Sequence, residues 1–186
     1  MKFGFESPDE EKSKFGYGRK EPQRFRLRIG ESKELVFIDD VPARSYEHSV
    51  KIDGYWKNFT CLETTCPLCD IGNKSHKVFY LTAIDLTPWE DKNGQLQVEN
   101  YTLFCFKKRA AEALSALKQK HGRLKGLKFR ATRGNGEYSA SSGDHFEFIE
   151  EANELLDRHK EIDYQDVFQK LNIKQMYEVA NESKRS

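Results

Sequence analysis

Three cysteines lie within nine residues, with the spacing Cys61-x₄-Cys66-x₂-Cys69. The last two thiolates can bind one metal ion from a single tight turn, and Pro67 between them restricts that turn. A third thiolate and an imidazole complete the tetrahedral shell of a structural Zn²⁺ site. Buried reduced cysteines or a disulfide are the alternatives, but the third cysteine and the flanking histidines favour a metal. The pattern therefore predicts one structural zinc ion.

Two histidines compete for the fourth position of this site. His48 lies on a short strand-like segment, and the turn at Asp53 and Gly54 returns the chain toward Cys61, so a hairpin could bring the imidazole beside that thiolate. His76 follows a polar loop and could also reach the ion. We favour His48 and keep His76 as the alternative ligand.

The composition is typical of a protein with one domain and a charged surface. The chain has 186 residues, of which 37% are hydrophobic and 33% are charged, and this length suffices for one core with appendages. Because no apolar run occupies the N-terminal region, we expect neither a secretory signal nor a membrane span. A reducing, cytoplasmic location follows, and it again favours a metal over a disulfide.

Charge is unevenly distributed along the chain although the net charge is only +1. Residues 107–133 contain ten lysines and arginines and one acid, whereas residues 150–186 contain nine acids and six lysines and arginines. Such asymmetry indicates an anionic partner for the middle of the chain.

The elements that must position these residues are mostly strands. Residues 24–28 alternate, and an apolar run spans 34–38, which predicts a hairpin that turns at Gly30 and directs Phe25 and Leu27 toward the core. Further strands are predicted at residues 46–50, 78–86, 96–106, 127–133 and 137–149.

Helices are predicted mainly near the end of the chain. Residues 108–121 have helical spacing and are followed by Gly122 as a C-cap. Residues 151–160 and 164–180 also have a helical pattern. By contrast, residues 1–22 are polar and aperiodic, which predicts a flexible arm.

Aromatic and basic side chains alternate where the predicted strand 96–106 meets the following helix. The helix dipole makes the potential positive at this helix start, so cations there suit a docked phosphate. Aromatic rings stack on unpaired bases while lysine and arginine follow the backbone, although any one phenylalanine is more simply a core residue. The candidate contacts are Arg24, Arg26, Arg28, Tyr55, Trp56, Tyr101, Phe104, Phe106, Lys107, Lys108, Arg109, Arg130 and Arg133.

The cysteine pattern in a small, mainly β chain resembles the single-stranded DNA-binding proteins of T4-type phages. The resemblance covers residues 23–149 and rests on His48-x₁₂-Cys61, on Cys66-Pro-Leu-Cys69 and on the strand-like segment 77–85. The first two motifs are specific, whereas the strand pattern is generic. The resemblance implies a mainly β (α+β) fold: an elaborated OB-fold barrel with an inserted zinc subdomain at residues 44–76, followed by C-terminal helices at 150–186.

The resemblance also implies a function. Such proteins bind single-stranded DNA without sequence preference or enzymatic activity, and they act in phage DNA replication, recombination and repair in the bacterial cytoplasm. The zinc ligands would be His48, Cys61, Cys66 and Cys69. A basic N-terminal arm would support self-association on DNA, and an acidic C-terminus would recruit replication or recombination proteins.

The chain departs from the family pattern in its metal loop and in its C-terminus. The gap between Cys61 and Cys66 is shorter than in the type member, which predicts a tighter loop. The C-terminus is mildly acidic and helical rather than a strongly acidic tail.

Two other classes of function are alternatives. A metal-dependent nucleic-acid enzyme needs clustered carboxylates and an open metal position, but here the acids are scattered and a three-thiolate site is closed. A zinc-ribbon protein-interaction module would use the basic stretch only for solubility. We therefore expect a binding protein that is not an enzyme.

Overall fold

The structure, a computed structural model, describes residues 22–136, 140–168 and 171–184. Almost all of the expected flexible arm, residues 1–21, lies outside the described residues. The strands are β1 (Gln23–Arg24), β2 (Ser32–Phe37), β3 (Ala43–Ile52), β4 (Tyr55–Thr60), β5 (His76–Asp85), β6 (Trp89–Glu90), β7 (Leu96–Gln97), β8 (Asn100–Phe106), β9 (Leu127–Thr132) and β10 (His145–Glu151). The helices are α1 (Pro67–Asp70), α2 (Lys108–His121), α3 (Glu154–Arg158), α4 (Tyr164–Val167) and α5 (Ile173–Ser183).

Strand β5 is the centre of the main sheet. It pairs with β8 on one side, and on the other side it pairs with β3 near its start and with β2 near its end, always antiparallel. The sheet continues from β2 to β9 and β10, and β4 joins it through β3. Because β5 is covered on both faces, its sequence is a nearly continuous apolar run rather than an alternating one.

The described residues form a mixed, sheet-rich fold with 38% strand and 25% helix and without a closed barrel. A sheet-rich core agrees with the expected mainly β class. The OB-fold itself stays a prediction.

Each face of the sheet is covered by a different part of the chain. One face carries Phe37, Leu81 and Phe129, which pack with Leu114 of α2. The opposite face carries residues such as Val36 and Ile84, which pack against Leu155 of α3, and Val78, Tyr80 and Leu103, which pack against Ile162. The segment after β10 therefore belongs to the core of the molecule.

The predicted hairpin between residues 24–28 and 34–38 is wrong. Strand β1 instead pairs in parallel with β8, and the Phe25 backbone N–H donates to the Leu103 carbonyl at 3.0 Å. Phe25 and Leu27 are nevertheless buried, as expected. Alternation shows which side chains face the core, but it does not reveal which strand accepts the backbone hydrogen bonds.

The helix predicted after β8 is confirmed at both ends. It spans Lys108–His121, and Gly122 follows it in the left-handed conformation with φ +78°, which is the backbone geometry that favours glycine at a helix end.

Within its described residues, the C-terminal segment forms three short helices rather than the two longer ones expected. Helix α5 begins with a capping box in which Asn172 and Gln175 exchange hydrogen bonds. It packs against α1 and β3. None of the helices in the described ranges is long and apolar enough to cross a membrane.

Candidate metal centre and basic groove

The β3–β4 hairpin brings His48 and Cys61 together, as the sequence predicted. Its turn is formed by Asp53 and Gly54, both with positive φ, and His48 pairs with Phe59 across the ladder. Beyond β4, the Cys61 backbone N–H donates to the Tyr46 carbonyl at 2.8 Å. The thiol of Cys61 therefore lies near the imidazole, thirteen positions earlier in the chain.

The other two cysteines are placed by the short helix α1. Cys66 immediately precedes the helix, and Pro67 occupies its first turn, where a missing N–H has no cost. The Asp70 N–H donates to the Cys66 carbonyl at 3.1 Å, and Gly72, with φ +81°, closes the turn by donating to the Cys69 carbonyl at 2.9 Å.

Four donor atoms converge at this point. Those of His48, Cys61, Cys66 and Cys69 all lie within 4.8 Å of one another. The His48 Nε2 atom is 3.4 Å from the Cys66 sulfur and 3.6 Å from the Cys69 sulfur, and the Cys61 and Cys69 sulfurs are 3.7 Å apart.

These separations fit a tetrahedral metal ion. Zinc bonds of about 2.3 Å to sulfur and about 2.0–2.1 Å to nitrogen imply sulfur–sulfur edges of about 3.8 Å and nitrogen–sulfur edges of about 3.6 Å. A disulfide requires sulfurs about 2.05 Å apart, and all three cysteines are free. The cluster could therefore hold one metal ion, with His48 rather than His76 as the nitrogen donor.

A hydrogen bond orients the His48 ring. The Asn73 amide donates to the Ser49 carbonyl at 3.1 Å, which leaves the Asn73 Oδ1 atom to accept from His48 Nδ1, also at 3.1 Å. With the proton on Nδ1, the lone pair of Nε2 is directed at the thiols. Metal-binding histidines are usually held by such a partner.

The thiols have opposed tendencies to ionise. Burial opposes ionisation of Cys66, but backbone N–H groups that include those of Leu62 and Cys69 outweigh it and hold its pKa below the ordinary value. Desolvation and the neighbouring Cys61 and Cys66 sulfurs raise the pKa of Cys69. Three adjacent thiolates repel one another, and a bound divalent cation would remove that repulsion.

The metal cluster is embedded in a small hydrophobic core that the sequence did not reveal. Cys61 and Cys66 belong to one cluster with Val50, Ile52, Phe59 and Leu68 and with four residues of the C-terminal region: Leu171, Met176, Val179 and Ala180. The helical pattern predicted for residues 164–180 did not identify this partner.

A basic groove of about 460 Å³ lies beside the hairpin that bears the metal cluster. Ser49 and Asn58 of the hairpin and His76 of β5 are among the residues that line it. The cations that converge on it come from separate segments of the chain: Arg26, Lys107, Arg109 and Arg133. Burial and the Lys107 ammonium lower the pKa of His76.

Arg24 also lines the groove, but its charge is already neutralised. It forms two hydrogen bonds with the buried Glu47 carboxylate, at 2.8 and 3.1 Å, and Tyr80 donates a third to the same carboxylate. Burial opposes the charge of Glu47, yet Arg24 holds the pKa of Glu47 below its ordinary value. Arg24 is therefore placed to support the groove rather than to bind an anion.

The aromatic candidates of β8 are held by contacts within the protein. Phe104 and Phe106 are 0% and 3% exposed, so their expected stacking on bases is wrong: both rings pack in the core, although Phe106 also borders the groove. Tyr101 donates its hydroxyl proton to the Lys160 carbonyl, and its ring lies against His159.

The remaining candidates lie around the groove or away from it. Arg130 pairs with Glu34 and Glu147 on the outer face of β9 and is not among the residues that line the groove. Lys108 is solvent-exposed and 3.9 Å from Glu112, and Arg28 also lies outside the groove lining. Tyr55 and Trp56 are 75% and 71% exposed at the tip of the β3–β4 hairpin.

No protein-family model matches the chain, and no curated protein sequence matches it significantly. The functional reading therefore rests on the chemistry of the metal centre and the groove.

Proposed function

We propose that this protein binds single-stranded DNA without sequence preference and that its metal centre is a structural zinc site. The observation that supports this best is the convergence of Arg26, Lys107, Arg109 and Arg133 on one groove beside the metal-bearing hairpin. Cations spread over the surface would serve solubility alone, whereas cations gathered along one groove can follow a phosphate backbone.

The charge balance of the groove favours an anionic ligand. Glu47 is the only carboxylate among the described residues that line it, and Arg24 neutralises that carboxylate. Arg26 and Lys107 form no ion pair within the described ranges, so both charges are available. Arg109 lies 3.4 Å from Asp144 but is 68% exposed, so a phosphate can compete for it.

Exposed aromatic rings near a basic groove favour single strands over duplex. Tyr55 and Trp56 project from the hairpin that forms one wall, and unpaired bases can stack on such rings. In a duplex the base faces are occupied by neighbouring bases. Contacts to the phosphate backbone and stacking on bases depend little on base identity, so we expect weak sequence preference.

Zinc is the metal that this donor set suits best. Three thiolates and one imidazole are typical of structural zinc sites, which have no open position for a reacting water. The ion would hold the hairpin against α1 and so maintain one wall of the groove. This role is structural, in accord with a binding protein that is not an enzyme.

The wider role follows from the family resemblance. We propose that the protein protects single strands in phage replication, recombination and repair, in the cytoplasm of the host. Self-association through residues 1–22 and recruitment of replication or recombination proteins through residues 150–186 belong to the same proposal.

A titration with labelled oligothymidine at several salt concentrations tests the proposal. The logarithm of affinity should fall linearly with the logarithm of salt concentration, with a slope of about −0.7 per phosphate neutralised. The double variant Arg26→Ala/Lys107→Ala should bind more weakly and flatten the slope by about 1.4. Arg130→Ala is the matched control, because Arg130 lies outside the groove, and it should leave the slope unchanged.

Two results would contradict the proposal. Equal affinity for duplex of the same length would indicate a general polyanion binder. A double variant with wild-type affinity and slope would show that the groove does not carry the nucleic acid.

A further inference from the structure

A second depression, of about 370 Å³, lies next to the basic groove. The two share the chain segment Arg24–Arg26, which forms part of the lining of both. The second depression is also lined by Lys33, Trp89, Asn100 and Thr102. A strand that leaves the basic groove over this shared segment would therefore enter the second depression.

Trp89 offers an aromatic surface in this depression. Its side chain is 48% exposed although tryptophan is usually well buried. It lies on β6, which pairs with β7, and the Asp91 carboxylate braces the connecting turn by accepting from the Asn93 and Gln95 N–H groups, both at 2.9 Å. The Asn100 side chain restrains the segment just before Trp89 by donating to the Thr87 carbonyl at 3.2 Å.

The charges around the depression favour a phosphate at its shared edge. The Lys33 ammonium lies 3.4 Å from the Asp85 carboxylate and 5.8 Å from the centre of the Phe25 ring. Because Asp85 is only 7% exposed and is paired with Lys33, its repulsion of an anion is small. Arg26, which has no ion-pair partner within the described ranges, provides the available positive charge.

We propose that this depression is a second subsite for the same single strand, an inference that rests on the proposed function. Trp89 stacks on a base there, and Arg26 contacts the phosphate backbone between the basic groove and the subsite. Asn100, whose side-chain N–H is bonded to the Thr87 carbonyl, presents its side-chain oxygen to the base edge or the sugar. The strand would then cross the molecule from the metal-bearing hairpin to the β6–β7 hairpin.

A protein partner is the other occupant that exposed apolar residues could suggest. Leu96 and Val98 are exposed near Trp89, at 64% and 49%. The nucleic acid is favoured because the depression adjoins Arg26 and the basic groove and is lined by polar groups. Self-association through this hairpin is an outcome that the experiment can detect.

Tryptophan fluorescence can examine the subsite directly, because the chain contains only two tryptophans, Trp56 and Trp89. The variant Trp56→Phe leaves Trp89 as the sole tryptophan. Oligothymidines of about 4 and about 12 nucleotides span the range of site sizes found for single-strand binding folds. We expect the longer oligonucleotide to quench Trp89 clearly and the shorter one to quench it much less.

Affinity measured by anisotropy of the labelled oligonucleotides gives an independent readout. Trp89→Ala should weaken binding of the longer oligonucleotide by about 5- to 150-fold, the usual range for loss of one stacked base, and should leave the shorter one nearly unchanged. Tyr177→Ala is the control, because Tyr177 is similarly exposed, at 52%, and lies on α5 outside both depressions.

The outcomes separate this subsite from the proposed function. If the wild type binds both oligonucleotides but Trp89→Ala binds the longer one equally well, the subsite is wrong and the function stands. Unchanged affinity with reduced self-association would assign Trp89 to a protein contact and also overturn the subsite. If the wild type binds neither oligonucleotide, the proposed function fails with it. If Trp89→Ala folds poorly, the fluorescence of Trp56→Phe tests the subsite instead. Absence of Trp89 quenching by the longer oligonucleotide would then overturn it.

Discussion

Two hydrophobic regions of the molecule, the one between the sheet and α2 and the one around the candidate metal centre, differ in composition. The large region between the sheet and α2 contains bulky side chains such as Phe37, Leu81 and Phe129, each 0% exposed. The small region around the metal centre includes two metal donors, Cys61 and Cys66, among its buried residues. A small apolar cluster buries too little surface to be stable alone. Helix α5 packs into the small region, and a metal ion bound by the cluster would complete it, whereas the large region includes neither.

The largest effect is expected from loss of the metal. Cys66→Ser should lower metal affinity by more than about 100-fold. Removing a group that only orients a ligand lowers metal affinity by about 10- to 100-fold, and removing the ligand itself should lower it further. Since metal binding contributes folding free energy, β4 and α5 should lose protection from hydrogen exchange while β5 and β9 keep theirs. His76→Ala should retain one metal ion per chain. One metal ion per chain in Cys66→Ser would contradict this prediction. Equal loss of hydrogen-exchange protection in all four elements would show that the metal does not stabilise the small region selectively.

The second effect concerns the large region. Phe37→Ala should lower the free energy of unfolding by about 3–5 kcal/mol, because it leaves a cavity between the sheet and α2. Urea denaturation gives this value, and metal content of the folded protein should be unchanged. A loss below about 1 kcal/mol, which is typical of point substitutions in general, would show that the large region is not the main source of stability.

A third effect tests whether α5 belongs to the small region. Met176 is 0% exposed and Tyr177 beside it is 52% exposed, so the two positions form a matched pair. Met176→Ala should lower the free energy of unfolding of the small region by about 2–5 kcal/mol. Hydrogen exchange should show lower protection in α5, and a chelator should remove the metal more readily. Tyr177→Ala should stay within about 0.5 kcal/mol of wild type. Equal effects of the two variants would mean that α5 does not depend on its buried face.

The smallest effect is a pH dependence of stability that arises outside both regions, where Asp39 contacts Tyr164 of the C-terminal segment. Burial raises the pKa of Asp39 to about 6, although hydrogen bonds from Tyr164 and the Thr82 N–H oppose that rise. Because the folded state holds this proton more tightly than the unfolded state does, the contribution to stability is greatest below about pH 4 and disappears as the pH rises through about 6. The metal centre has the opposite dependence, since acid protonates its ligands.

The variant Asp39→Asn separates these two dependences. It should remove the part of stability that declines between about pH 4 and 6, at most about 3 kcal/mol for a shift of about two pKa units, and leave metal release by acid unchanged. Thermal melts across this pH range measure both. An identical pH profile for the variant and the wild type would show that Asp39 does not titrate in this interval.

Local patterns predicted a good part of this structure. The donors His48, Cys61 and Cys66 could be identified because their hairpin and turn are formed by neighbouring residues. Helix α2 and its Gly122 cap could be identified for the same reason. Phe104 could not be placed, because a phenylalanine in a strand is compatible with either a core or a stacking role until the opposite face is known.

By itself, the sequence determined the chemistry of the metal donors, the short-range elements that present them and the basic character of residues 107–133, all of which depend on neighbours in the chain. Only the tertiary structure decided that β1 pairs with β8, that α5 completes the core around the metal centre, and that Arg26, Lys107 and Arg133 meet in one groove. These pairings join residues far apart in sequence. The choice among them is made by backbone hydrogen bonds and apolar burial summed over the whole fold, which no local pattern encodes.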